Sequence, residues 1–180
     1  EKEMKVYVAR HGQTEWNAQN RICGRTDVEL TEEGRRQAEE LAESLTGRGV
    51  DVILASPMKR AIETARAVSR RCGAPVEVDR RLIEQDYGIY EGADRLDPGF
   101  WAVKRTFAVR YPGGESMMDV AGRVYPLLKE LKDRYPGRTV LLVCHGGVCR
   151  VIRSYFEDMP NEEFPRWSVP NAAMAEYELQ

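Results

Sequence analysis

Short apolar runs alternate along the chain with segments in which apolar residues recur at helical spacing. The strand-like runs are residues 5–9, 52–55, 75–78 and 139–143, and a weaker alternation over residues 173–179 is typical of an edge strand. Helical spacing is seen at residues 38–45, 61–72, 120–131 and 148–155. This alternation predicts a mainly parallel α/β sheet with helices covering both faces.

Residue types at the ends of the helical segments predict where the helices begin and end. Thr31 and Ser116 are expected N-caps, and Gly47 and Gly49 are expected to end the first long helix. Ser56-Pro57 is expected to place serine at an N-cap and proline at the first helical position. Pro126 interrupts an apolar helical face and predicts a kink or a broken helix.

Residues 84–116 have no clear period and are rich in glycine and proline. We expect one helix there, around residues 101–107. The length of 180 residues predicts a single domain spanning residues 1–180. Residues 86–116 would then form a short irregular cap that shapes specificity.

Composition excludes several classes of protein. With 42% hydrophobic and 31% charged residues, the chain is typical of a globular protein. A net charge of −2 argues against a general nucleic-acid binder. No apolar run approaches the ~18 residues that span a membrane, and no signal peptide is visible. We expect a cytoplasmic protein with neither nucleic acid nor membrane as partner, and the sequence indicates no oligomeric state.

The four cysteines are too few for a disulfide scaffold, and no two form a C-x-x-C pair. Free thiols in a reducing cytoplasm are the favoured interpretation. Cys144, His145 and Cys149 leave a metal site as an alternative, although two histidines cannot build a three-histidine zinc site. We expect no metal and no other cofactor.

Both histidines of the chain precede a glycine, in His11-Gly12 and His145-Gly146. Glycine abundance gives this double coincidence a chance of about one in 150. Each pair directly follows a predicted strand, and Ser56 follows another. Because the carboxyl ends of parallel strands share one edge of a sheet, we expect both histidines at that edge.

Such an edge is suited to binding an anion. Gly12 and Gly146 allow the backbone to approach a ligand closely, and helices beginning after Ser56 and His145 would present free N–H groups. Arg10 and Arg60 add fixed positive charge that suits phosphate oxygens. A single histidine at a strand end can also be structural, and Arg60 alone could be a solvated helix residue.

The segment Arg10–Asn17, RHGQTEWN, resembles the R-H-G-x-T-x-x-N signature of the histidine phosphatase (phosphoglycerate-mutase-like) superfamily. Further segments resemble motifs of the same family in the same order, namely residues 20–34, 55–65, 82–92, 111–116 and 143–147. The resemblance covers nearly the whole chain. It implies a three-layer α/β/α sandwich with a mainly parallel sheet.

The resemblance also implies a role for each matched residue. His11 would be the nucleophile that becomes a phosphohistidine, with Arg10, Arg60 and His145 around the phosphoryl group and Glu84 as proton donor to the leaving oxygen. The residues implied to lie near the substrate are Asn17, Cys23, Gly24, Tyr87 and Gly146.

The physical chemistry agrees with these roles. His11 must be neutral, with a backbone carbonyl holding its other ring N–H. His145, if protonated, would act with the arginines on the transferring oxygens. Glu84 must carry a proton when the leaving group departs and can then act as base toward water.

The resemblance leaves hydrolysis, phosphoryl transfer back to substrate, and a binding module without activity as alternatives. The catalytic positions are all intact, which argues against the binding module. Cofactor-dependent mutases of the family resemble a longer chain with a paired-arginine insertion. Here residues 101–105 resemble the paired arginines of that insertion only loosely, and we interpret them as amphipathic helix surface. We therefore favour a phosphatase acting on a small phosphorylated metabolite.

Overall fold

The computed structural model describes residues 3–180 and builds them around a five-stranded sheet. The strands are β1 (Met4–Arg10), β2 (Val52–Ala55), β3 (Val76–Val78), β4 (Val140–Cys144) and β5 (Met174–Leu179). They lie in the order β3-β2-β4-β1-β5. The first four are parallel, and β5 is antiparallel to β1 at the edge. The predicted mainly parallel sheet and its edge strand are confirmed.

Helices cover both faces of the sheet. They are α1 (Glu15–Ala18), α2 (Glu32–Leu45), α3 (Lys59–Cys72), α4 (Pro98–Lys104), α5 (Met117–Arg134) and α6 (Gly146–Phe156). Val6 and Val8 of β1 pack with residues of α5 and α6, whereas Tyr7 and Ala9 pack with α2 and α3. Alternate residues of a strand point to opposite faces, so this pattern confirms the three-layer sandwich. Among the helices of residues 3–180, none has the length and apolar character needed to cross a bilayer.

Two of the predicted N-caps are confirmed. The Thr31 side chain accepts the N–H of Gly34, and Ser116 forms a reciprocal capping box with Asp119. The broken helix suggested by Pro126 is wrong, because α5 runs continuously through it. The adjacent Leu127 and Leu128 are fully buried, and this packing offsets the hydrogen bond that proline cannot make.

The expected cap at Ser56 is also wrong. Helix α3 begins at Lys59 with Met58 as N-cap, and the Ser56 hydroxyl instead lies 2.7 Å from Nε2 of His145. The N–H of Lys59 donates to Oδ1 of Asp27 at 2.8 Å. One of the N–H groups expected to be free at this helix end is therefore already bound to a carboxylate.

The segment between β3 and α5 is more ordered than its sequence suggests. Its helix α4 begins three residues before the predicted start, because Oδ1 of Asp97 accepts the N–H groups of Gly99 and Phe100 and Pro98 occupies the first turn. Phe100 and Tyr111 stack with ring centroids 5.3 Å apart and are buried beside Ile22. This aromatic cluster attaches the segment to the loop that follows α1.

The turn after β1 packs directly on helix α2. A Cβ atom at Gly12 would overlap the carbonyl oxygen of Gly34, and one at Gly34 would overlap the carbonyl oxygen of Gln13. Gly12 therefore has a packing reason to lack a side chain, in addition to the close approach to a ligand expected from the sequence. Its lack of a side chain serves backbone packing, which fixes the position of His11.

We predict that Gly34→Ala lowers the free energy of unfolding by about 1–3 kcal/mol, because the added methyl group would overlap the backbone of Gln13. Gly122→Ala in α5 is the matched control, since a Cβ there meets nothing within 4 Å. In that helix interior alanine should stabilise by about 0.5–1 kcal/mol. Urea denaturation measures both changes, and a Gly34→Ala protein as stable as the wild type would contradict the packed turn.

Candidate active site

The sheet brings the two histidines together. Strands β1 and β4 are adjacent and parallel, with Arg10 in register with Cys144. The next residues, His11 and His145, therefore leave the sheet side by side, and their ring centroids are 5.0 Å apart. Both side chains are buried. The prediction that they share one edge of the sheet is confirmed, although 133 positions of chain separate them.

The hydrogen bond of His11 fixes its tautomer. Nδ1 lies 2.6 Å from the carbonyl oxygen of Gly12, and a carbonyl can only accept, so Nδ1 carries the proton. Nε2 then holds a lone pair. Burial lowers the pKa of His11 well below its usual value, and the charges of Arg60 and Arg10 lower it further. The ring is thus neutral, as a nucleophile requires.

His145 is also neutral in this structure. Burial, then Arg60 and then His11, lower its pKa well below the usual value. Its Nε2 bonds the Ser56 hydroxyl, whereas its buried Nδ1 has no partner within residues 3–180. A protonated His145, considered from the sequence, therefore requires negative charge brought by a ligand.

Arg10 and Arg60 are held by carbonyl oxygens rather than by carboxylates. Nη1 of Arg10 donates to Val169 at 2.8 Å, and Arg60 donates to Thr26 at 2.7 Å and to Gly24 at 2.6 Å. Among the ion pairs of the described chain, none involves either arginine. Arg60 is fully buried, so the solvated-helix alternative is wrong. Both guanidinium charges remain uncompensated.

Three buried donor or acceptor atoms around His11 lack partners in the part of the chain that the structure describes. They are Nε of Arg10, Nε of Arg60 and Nδ1 of His145. Buried polar groups are nearly always hydrogen-bonded, because leaving one unpaired is costly. Together with the positive charge of the two arginines, these unpartnered atoms favour binding of an anion close to His11.

Glu84 faces the same cleft as His11 and is 4% exposed. Its two carboxyl oxygens accept backbone N–H groups from Gln85 at 2.8 Å and Gly147 at 3.1 Å. A Cβ at Gly147 would lie 2.6 Å from Oε1 of Glu84, so a side chain at this position would displace the carboxylate. The second glycine after His145 was the available sequence signal, and our sequence analysis missed it.

A second arginine network holds the backbone at Glu84 and was also missed. Arg123 donates to the carbonyl oxygens of Arg81 at 2.7 Å and Ile83 at 2.6 Å. Arg25 donates to the carbonyl oxygen of Glu84 at 2.8 Å, and Glu115 joins the two arginines by ion pairs. These residues come from distant segments, so no local pattern indicates that they converge.

Four of the five residues expected near the substrate line the cleft: Asn17, Cys23, Tyr87 and Gly146. Burial raises the pKa of the Cys23 thiol to about 11, which keeps it protonated. Gly24 is not a lining residue and instead gives its carbonyl oxygen to Arg60. Arg60 and His145, two of the candidate catalytic residues, are likewise not among the lining residues.

The cleft has about 610 Å³ of empty volume, part of it open to solvent, and several of its lining residues were not predicted. Arg95, Lys104 and Arg150 add three cationic side chains to its wall. The interpretation of residues 101–105 as amphipathic helix surface is wrong for Lys104, which lines the cleft, whereas Arg105 is exposed and lies outside it.

The sulfur atoms of Cys144 and Cys149 are buried 3.6 Å from each other. His145 directs Nε2 away to Ser56. Within the described chain, no group of three or more His, Cys, Asp or Glu side chains is arranged to hold a metal ion.

Known proteins resemble this chain in both fold and sequence. The probable phosphoglycerate mutase GpmB of Cronobacter sakazakii is 35% identical over 184 residues, covering 98% of this chain and 86% of that protein. The glucosyl-3-phosphoglycerate phosphatase of Mycolicibacterium vanbaalenii is 37% identical over 174 residues, covering 89% and 77%. A solved mycobacterial glucosyl-3-phosphoglycerate phosphatase superposes with a TM-score of 0.87 at 32% identity, covering 97% and 90%.

Residues 6–180 match the histidine phosphatase superfamily (branch 1) as a whole. The match includes both histidines, both uncompensated arginines and the buried glutamate. The chain belongs to the histidine phosphatase superfamily.

Proposed function

We propose that this protein is a metal-independent phosphomonoester hydrolase that forms a phosphohistidine at His11 and acts on a small phosphorylated metabolite. The observation that carries the proposal is the set of unpartnered buried atoms on Arg10, Arg60 and His145 beside the free Nε2 of His11. A phosphoryl group supplies the negative charge and the acceptors that these atoms lack.

In the first step the arginines hold the phosphoryl oxygens while Nε2 of His11 attacks phosphorus. The new N–P bond forms as the bond from phosphorus to the ester oxygen breaks, and that oxygen takes a proton from Glu84. The carbonyl of Gly12 keeps the proton on Nδ1 and stabilises the positive charge that develops on the ring. The low dielectric around these buried groups strengthens their interactions with the transferring oxygens.

The bound phosphoryl group also changes the state of His145. Burial and then the charge of Arg60 keep the pKa of His145 low in the ligand-free site, and the phosphoryl dianion offsets the repulsion from that charge. A proton on Nδ1 then becomes favourable, and His145 acts as a third cationic donor to the transferring oxygens. His145 is thus neutral in the ligand-free site and becomes protonated once the phosphoryl group is bound, which is the form considered from the sequence.

In the second step water attacks the phosphohistidine. Glu84, now a carboxylate, takes a proton from that water as the N–P bond breaks. Inorganic phosphate leaves, and His11 regains its neutral ring with the proton still on Nδ1. None of these steps uses a metal ion.

Hydrolysis is favoured over mutase chemistry because the cleft is partly open to solvent and water can reach the intermediate. The mutase alternative rests on relatives named as probable phosphoglycerate mutases.

We also propose that the protein acts in the reducing cytoplasm expected from the sequence, which is supported by its four free cysteines.

We predict release of inorganic phosphate from an aryl phosphate and from a panel of phosphorylated metabolites at mildly acidic pH. Chelator should leave the rate unchanged, and His11→Asn should abolish it, because asparagine cannot form the intermediate. The panel is scored for free phosphate and for interconversion of 3-phosphoglycerate and 2-phosphoglycerate. Isomerisation faster than phosphate release would favour the mutase, and loss of activity with chelator would contradict a metal-independent route.

Glu84→Gln should slow kcat/KM by about 10²–10⁴-fold for alkyl phosphates, whose poor leaving groups need a proton. The effect should be much smaller for 2,4-dinitrophenyl phosphate, whose leaving group departs without one. The control is Glu162→Gln, which removes an exposed carboxylate outside this cleft. Equal slowing for all leaving groups would contradict an acid role for Glu84.

A further inference from the structure

The carbonyl group that orients His11 belongs to a peptide unit that is also hydrogen-bonded at its other end. The Gly12 carbonyl oxygen accepts the Nδ1 proton of His11 at 2.6 Å, and the same peptide unit carries the N–H of Gln13. That N–H donates to Oε1 of Gln37 at 2.9 Å. A series of hydrogen bonds therefore runs from the imidazole ring of His11 through one peptide unit to the side chain of Gln37.

Gln37 lies outside the cleft that His11 lines. It is half-buried on helix α2 and is not among the lining residues of the cleft. None of the segments that resemble family motifs in the sequence analysis includes it. Any effect of Gln37 on the reaction must therefore pass through the backbone of the turn that follows β1.

Other hydrogen bonds hold the position of this turn. The N–H of Gly12 donates to Oγ1 of the buried Thr64 at 3.1 Å. The carbonyl oxygen of Gln13 accepts the N–H of Thr31 at 3.0 Å. Because these bonds and the close contact of Gly12 with Gly34 already fix the turn, the bond from Gln13 to Gln37 has a further consequence besides placement.

That consequence is electrostatic. A peptide unit that donates through its N–H becomes a better acceptor at its carbonyl oxygen, because hydrogen bonds in series polarise one another. In the proposed reaction, attack by Nε2 makes the ring of His11 cationic while Nδ1 keeps its proton. Burial, then Arg60 and Arg10, lower the pKa of His11 and disfavour a cationic ring, whereas the bond to Gly12 raises the pKa and favours one.

We propose that Gln37 is a positioning residue for the nucleophile, which acts through the Gly12–Gln13 peptide unit to strengthen the hydrogen bond at Nδ1 and to stabilise the cationic ring of the phosphohistidine. This inference rests on the proposed function, because it takes His11 as the group that is phosphorylated. No proton moves along the series of hydrogen bonds, and the covalent changes remain those already described at Nε2 and phosphorus.

The hydrogen bond at Nδ1 can be observed without turnover. The chain has two histidines, so protein labelled with ¹⁵N-histidine gives few ring signals, and His11→Asn identifies those of His11 by their loss. Gln37→Met removes the strong acceptor and should move the Nδ1 proton resonance of His11 upfield, because the weakened bond deshields it less. Gln37→Glu offers a charged acceptor to the same N–H and should move that resonance downfield.

The two chemical steps should respond in opposite directions. Rapid mixing with 2,4-dinitrophenyl phosphate followed by quenching measures both the formation and the hydrolysis of the phosphohistidine. Gln37→Met should slow formation by about two- to fourfold, as expected when a hydrogen bond to a charged group loses about 10–30% of its strength. Hydrolysis should not slow, because a less stabilised cationic ring is a better leaving group.

Gln37→Glu should reverse this pattern, with formation at least as fast as in the wild type and hydrolysis slower. This variant keeps an acceptor for the N–H of Gln13, so it tests the proposal even where Gln37→Met folds poorly. Gln19→Met is the matched control, because it makes the same change at an exposed glutamine outside the cleft. It should change neither the Nδ1 resonance of His11 nor either rate.

An Nδ1 resonance that stays in place in both Gln37 variants would overturn the proposal. Equal slowing of both steps in both variants would also overturn it, because a displaced turn impairs formation and hydrolysis alike. Failure of the proposed function has a different signature, namely no phosphohistidine at His11 in the wild-type protein. In that case opposite shifts of the Nδ1 resonance in the two variants would still support the action of Gln37 on His11.

Discussion

The uncompensated positive charge of Arg10 and Arg60, buried beside two neutral histidines, is the constraint on which the rest of this structure depends. Burial first, and then the two cations, lower the pKa of both imidazole rings, so His11 keeps the lone pair that a nucleophile needs. The charges of Arg10 and Arg60 also favour binding of an anion at the site. One electrostatic arrangement therefore both activates the attacking group and binds the group that it attacks.

Holding such a site requires a scaffold that supplies acceptors without supplying negative charge. Backbone carbonyl oxygens of Gly24, Thr26 and Val169 perform this task for the arginines. A carboxylate in their place would satisfy the same donors but would cancel the charge that favours phosphate. The carboxylate that does face His11, Glu84, is separately held by backbone N–H groups and by the backbone contacts of Arg25 and Arg123.

The sequence predicted those parts of the fold that depend on local pattern or on strand topology. Apolar runs located the strands, and the parallel-sheet rule brought His11 and His145 to one edge although no local signal connects them. Prediction was wrong where tertiary contacts decide. Ser56 could cap a helix, but His145 occupies its hydroxyl. Lys104 has the spacing of a surface residue, yet the fold of the cap segment places it in the cleft.

The central claim is that His11 itself accepts the phosphoryl group. A quench experiment tests this claim directly. The protein is mixed rapidly with an aryl phosphate and then quenched in alkali, in which phosphohistidine survives. Peptide mass spectrometry then identifies the phosphorylated residue. The account predicts one added phosphoryl group on the peptide that contains His11. With 2,4-dinitrophenyl phosphate, whose leaving group needs no proton, this peptide should accumulate further when Glu84 is replaced by glutamine, because activation of water is impaired. Phosphate release with no phosphorylated peptide, or with the phosphoryl group on any other residue, would contradict it.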